Sequence, residues 1–213
     1  MSMRCLNFRP LLRVPTSFRN HLTSTVRSFP TYTSFSDPSR PDLLYHLVDP
    51  PTPVSSSAPA FALSFLSSPP PTSDSSTIIG WLPAESNHSS QGQEAGLNDF
   101  KENSKFRGLL HDSIKEGLTE EVDDIQINGA LQLREGWMHI HDARNIPALG
   151  RIGDPDDILA SVLVQDSKII PETYQPMPSY RFCTADGVIQ LTPGLMQKLH
   201  ARLAQMANSE KTQ

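Results

Sequence analysis

Short apolar runs separated by polar stretches make up most of the chain, and the spacing of the apolar positions decides what each run can become. LLYHLV (43–48), FALSFL (61–66) and TIIGWL (77–82) have the length and content of strands, and the last two are placed to pair antiparallel across the loop between them. For LLYHLV a short helix stays open, because so brief a run has no measurable period. Phe106, Leu110, Ile114 and Leu118 recur at helical spacing and predict a helix after Ser104 that ends or turns near Gly117 and Thr119. In IQI-NG-AL the Asn128-Gly129 pair predicts a tight hairpin turn. GWMHIHD (136–142) alternates, with Met138 and Ile140 on one face and Trp137, His139 and His141 on the other.

Further on, Asp154-Pro155-Asp156-Asp157 has the composition of a helix start, with a capping aspartate and proline at the first helical position, and predicts one helical turn before a strand. SVLVQ and KIIPETY flank Asp166-Ser167 as a hairpin, and SYRFCT and VIQL flank Ala185-Asp186-Gly187 as another, with Gly187 suited to a positive φ. Thr192-Pro193 is the expected cap of a last helix whose stripe of Leu195, Leu199 and Leu203 covers one side of the sheet. The pattern is that of an α+β protein: a small, mostly antiparallel sheet of hairpins with one or two packed helices. Composition divides it. Residues 1–36 form a disordered N-terminal segment, 37–96 carry strands between Pro/Ser-rich loops, 97–207 form a compact α+β domain, and 208–213 are a disordered tail. The low-complexity stretches 50–59, 67–76 and 85–96 are expected to be loops or linkers that bury little.

Charge adds a compartment. Arg4, Arg9, Arg13, Arg19 and Arg27 precede the first acidic residue, Asp37, among many serines and threonines and without a lysine. With Leu6, Phe8, Leu11, Leu12, Phe18 and Leu22 on helix-compatible spacings, this is the composition of a mitochondrial import presequence, cleaved between Arg27 and Asp37. It implies the import machinery as a partner and the matrix as destination. Of eighteen basic residues those five are set apart, leaving thirteen against twenty-three acidic ones and a formal charge near −10 on the remainder. Such a body repels phosphate backbones, which disfavours direct nucleic-acid binding. No apolar run reaches the ~18–20 residues that span a bilayer, so no transmembrane segment is expected. Beyond Cys5 only Cys183 remains, which excludes an intramolecular disulfide in the processed chain; a small buried thiol is the plain reading of Cys183, with Arg181 its nearest cation in sequence.

Candidate chemistry gathers in one stretch. His139 and His141, two apart on a strand, project side by side and suit a zinc or iron ion, although a third ligand must come from afar, from His111, Glu172 or His200. Strand histidines bonded to loop groups are the competing reading. Arg144 and Arg151, with Asn145, Asp154 and Asp157, crowd the following loop; they suit a small anion with His141 as proton carrier, or a network that orders the loop. LGRIGDPDDI, from Leu149, is similar to a tail motif of short-chain dehydrogenases, but no tyrosine is followed four positions later by lysine and no G-x-G-x-x-G occurs.

Taken together, EGWMHIHDARNIPALGRIGDPDDI, YQPMPSYR and TADG resemble small mitochondrial proteins of fungi that carry no assigned activity, over roughly residues 100–203. The resemblance transfers no catalytic residue. The function expected is that of a soluble mitochondrial accessory or assembly factor acting on a protein partner. The alternative is a small metal-dependent or acid–base enzyme using His139 and His141.

Overall fold

In the computed structural model, residues 33–84, 96–148, 151 and 153–212 are described. Most of the expected presequence lies outside them. Its last residues do not: β1 (Ser34–Ser36) pairs antiparallel with β2 (Leu44–Val48), Phe35 meets Phe61 edge-on at 6.1 Å, and the Ser34 hydroxyl lies 2.8 Å from Nδ1 of His46. Ser34–Ser36, expected to belong to the disordered segment, are therefore ordered as an edge strand.

β3 (Ala60–Ser64), β4 (Gly80–Pro83) and β5 (Lys101–Glu102) continue from β2 as a five-stranded antiparallel meander in chain order. This includes the expected pairing of the FALSFL and TIIGWL runs, with Phe61 opposite Leu82. α1 (Ser104–Thr119) follows, buried along Phe106, Leu110, Ile114 and Leu118. The Asn128-Gly129 hairpin is not formed. α2 (Asp124–Leu133) runs through it as a continuous helix. Asp123 is the reason: its buried carboxylate accepts from the amides of Ile125 and Gln126 and starts a helix that a turn-forming dipeptide alone does not stop. Gly129 instead lets the helix approach β6 (Gly136–His141) closely, since a Cβ there would lie 3.3 Å from Sδ of Met138.

β6, β7 (Ile158–Gln165) and β8 (Lys168–Pro176) form a second antiparallel sheet in that order. The expected hairpin at Asp166-Ser167 is present, both residues having positive φ, 49° and 64°. The second hairpin is smaller than expected. Only β9 (Cys183–Thr184) and β10 (Gly187–Val188) pair, with Gly187 at φ 115°, because Tyr180 and Phe182 of the SYRFCT run enter the core instead of extending a strand. α3 (Pro193–Lys211) closes the fold, burying Leu195, Leu199 and Leu203 as its stripe predicts.

Thr192 occupies the N-cap position of α3 without a side-chain bond. The cap comes from elsewhere in the chain: the second oxygen of Asp123 accepts from the amides of Gly194 and Leu195 at 2.8 and 3.1 Å. One carboxylate thus starts two helices. A Cβ on Gly194 would sit 2.3 Å from the carbonyl oxygen of Val122, so the contact requires glycine. At its far end α3 continues through residues expected to be tail, and Glu210 accepts from the hydroxyls of Ser75 and Ser76 and the amide of Ser76.

A single apolar cluster joins Leu43, Leu63, Phe65 and Ile79 from the first half of the chain to Phe106, Ile140, Phe182 and Leu199 from the second. Phe65, Phe106, Phe182 and Tyr180 pass through it as an aromatic chain, with ring spacings of 6.4, 5.4 and 5.9 Å. The Pro/Ser-rich loops take part as well. Val54 packs on a smaller cluster with Ile78 and Trp81 on the other face of the meander, and Ser75, Ser76 and Thr77 are buried. No helix among the described residues is long and apolar enough to cross a membrane. Leu199 is fully buried, so Leu199→Ala should lower the unfolding free energy by ~2–5 kcal/mol in urea titrations.

Candidate functional site

Alternation along β6 sends Met138 and Ile140 into the core and leaves His139 and His141 on the opposite face, half-buried. A bulge between Ile140 and His141 shifts the register so that His141 stands opposite Ile158. Nδ1 of His139 lies 2.9 Å from Oγ of Ser161, its partner across the strand pair. Nδ1 of His141 is buried with no hydrogen-bond partner among the described residues. The backbone of Gly153 presses on that ring, where a Cβ would come within 2.9 Å of Nδ1. Burial, and then the neighbouring His139, hold the His141 imidazole below its ordinary pKa, with Asp157 opposing. It is therefore neutral at neutral pH.

The two imidazole rings are 6.1 Å apart at 77°. A tetrahedral zinc bound through one nitrogen of each ring, at ~2.0–2.1 Å per bond, would hold their centres roughly 5 Å apart, so ligation requires the rings to close by roughly an ångström. Distant ligands do not join them. His111 lies against Tyr174, its Nδ1 2.8 Å from the phenol oxygen, and His200 is tilted over Phe65. Among the described residues no group of three or more histidine, cysteine or acidic side chains is placed to hold a metal ion.

The arginines part company. Arg151 is exposed, while the side chain of Arg144 is 2% exposed. All five Arg144 N–H groups are engaged. Nε donates to Asp157 at 2.8 Å, Nη1 to the carbonyls of Phe182 and Gly187, and Nη2 to those of Arg181 and Asp156. Asp142 lies 3.5 Å from Nε and accepts from the amides of Arg144 and Gln190 and from the Tyr180 hydroxyl. Asn145 donates to the other oxygen of Asp157. Burial raises the Asp142 carboxyl above its usual range against the pull of Arg144, and burial with the nearby Asp142 pushes the Tyr180 phenol up. Of the two readings open for this loop, the geometry of Arg144 is that of a cross-link within the protein, with no donor left for a ligand.

Asp142 and Tyr180 were not singled out as site residues, yet one signal was in the sequence. Asp142 continues the parity of Met138 and Ile140, and an acid on a buried face calls for a buried cation. Tyr180 carried no comparable signal. Asp154 starts the expected turn, a 3₁₀ helix at Pro155–Asp157, but its side chain makes no cap bond, and it is the backbone amide of Asp157 that returns to the Asp154 carbonyl. No protein-family model, no curated protein and no solved structure matches this chain.

Removing Arg144 leaves two buried carboxylates facing each other, so Arg144→Ala should cost ~3–5 kcal/mol of stability or prevent folding, whereas Arg151→Ala should change it by less than ~0.5 kcal/mol. Urea midpoints compare the two directly. Acid should also weaken the fold through histidines. Burial lowers His46, His141 and His111, the last to about 4. An unfolded histidine takes up its proton near pH 6.5 and the folded ones resist it, so unfolding binds protons and stability falls as pH drops from about 6.5 toward 4. The slope approaches ~1.4 kcal/mol per pH unit for each histidine held neutral, and His111→Gln should reduce it in urea titrations between pH 7 and pH 5.

Proposed function

We propose that this is a mitochondrial matrix protein that works by binding a protein partner, as an accessory or assembly factor. The observation that carries the reading is the division of labour between the interior and the surface. The loop groups with the most chemical potential, Arg144, Asp142 and Asp157, are engaged in holding the fold. Meanwhile the stretch from Val122 to Trp137 exposes Val122, Ile125, Leu131, Leu133 and Trp137, the last two at 40% and 49%. Large apolar side chains concentrated in one exposed stretch favour contact with another macromolecule. The five arginines before Asp37 and the resemblance to small fungal mitochondrial proteins support the compartment.

A second reading, acid–base or metal chemistry at His139 and His141, is favoured by the buried Nδ1 of His141, which has no partner among the described residues. Metal analysis of protein beginning at Thr33 tests it, and stoichiometric zinc or iron lost in His139→Ala would replace the first reading. Starting at Asp37 would remove β1 and confuse the result.

The binding reading is tested in cells with Leu133→Ser and Trp137→Ser combined. Both side chains are exposed, so the unfolding free energy should stay within about 1 kcal/mol while mitochondrial function is lost. Full function in that variant rejects the surface. Residues 1–32 fused to a fluorescent reporter test the compartment, and a cytosolic signal rejects it.

A further inference from the structure

Away from the histidines, the 3₁₀ turn Leu97–Asp99, the strand β5, the start of α1 and the loop 178–181 border an open groove of about 400 Å³. That volume lies within the ~300–1,000 Å³ range of small-molecule sites. Two arginines line it, and they are not equivalent. Arg107 is ion-paired to Glu102, donates to the carbonyl of Tyr180 and stacks over the Phe182 ring at 4.6 Å. Glu102 also accepts the amide of Phe182, so this pair is internally balanced.

Arg181 differs. Its backbone is fixed on both sides, the amide donating to Asp156 and the carbonyl accepting from Arg144, so the buried network holds its Cα in place. Its side chain is exposed and makes no ion pair or hydrogen bond among the described residues. The carboxylate that lines the groove, Glu102, is paired with Arg107. Among the described residues that line the groove, two arginines thus stand against the single carboxylate of Glu102, leaving its wall one net positive charge on a body that is otherwise acidic. Asn98 and Ser179 add polar groups beside it; the Ser179 hydroxyl donates to the carbonyl of Pro155, which leaves its oxygen free to accept.

We propose that this groove is a binding site for a small hydroxycarboxylate, its carboxylate held by the Arg181 guanidinium and its hydroxyl by Asn98 and the Ser179 oxygen. A planar carboxylate matches a guanidinium in paired hydrogen bonds. One negative charge balances the net charge of the described lining residues, whereas a phosphate dianion would place an excess charge beside Glu102. Cys183, at the groove wall, has its thiol pKa raised by burial and stays neutral, so it does not repel an anion. The site is independent of the surface between Val122 and Trp137, and its failure leaves that reading intact.

The test is an NMR titration of the full chain with lactate, following the amides of residues 97–102 and 179–183, with methyl lactate and inorganic phosphate in parallel. Lactate should give saturable shifts with a Kd on the order of 1 mM, and methyl lactate none. Arg181→Ala, whose exposed side chain leaves the fold unaltered, should weaken binding at least tenfold, and Arg181→Lys should restore part of it, lacking the paired geometry. The proposal is overturned if lactate shifts do not saturate, if Arg181→Ala binds as well as the parent, or if phosphate binds more tightly than lactate.

Discussion

Arg144 is a cation where water does not reach, and the parts of the chain that meet around it are arranged as they are because an uncompensated charge there would cost several kcal/mol. Asp142, just past the end of β6, and Asp157, just before β7, supply opposite charge. The carbonyls of Asp156, Arg181, Phe182 and Gly187 supply the remaining acceptors. Backbone bonds from Asp142 to Asp157 and from Ala143 to Gln190 bring the same segments into register. An apolar core attracts any apolar surface, but a guanidinium with five fixed donors accepts one arrangement of its neighbours. The irregular loop and the short hairpin are therefore positioned as firmly as the strands.

The parts legible in the sequence were those encoded by local period. The Phe106 to Leu118 stripe, the alternation of β6, the Asp166-Ser167 turn and the Leu195 to Leu203 stripe each depend on residues within a few positions of one another, and all four stand in the structure. What local pattern did not carry was the remote partner. Asn128-Gly129 has the chemistry of a turn, yet Asp123 starts a helix across it and is itself held by amides some seventy residues away. The Ser-rich loop before β4 looked like linker because its partners, Asn103 and Glu210, lie far along the chain. Composition reports what a segment can bury unaided, and these segments are ordered by others.

The same distinction separates the candidate residues. His139 and His141 share a face, as alternation requires, but their spacing and the loop glycine against His141 are tertiary facts. Arg144 and Arg151 look alike in sequence, seven positions apart in one loop, and differ because only Arg144 lies where two buried acids converge. Arg181, in a run that resembled a strand, presents an exposed guanidinium because Tyr180 and Phe182 on either side turn inward and leave it pointing away from the core.

Glu210, three residues from the last residue of the sequence, clasps Ser75 and Ser76 in the loop that leads into β4, while Leu199 and Leu203 fill the core shared by both halves of the chain. The first sheet and the last helix are thus one cooperative unit. Loss of the Glu210 carboxylate would strip the buried hydroxyls of Ser75 and Ser76 of a shared acceptor and loosen the loop into β4 from 134 residues away along the chain.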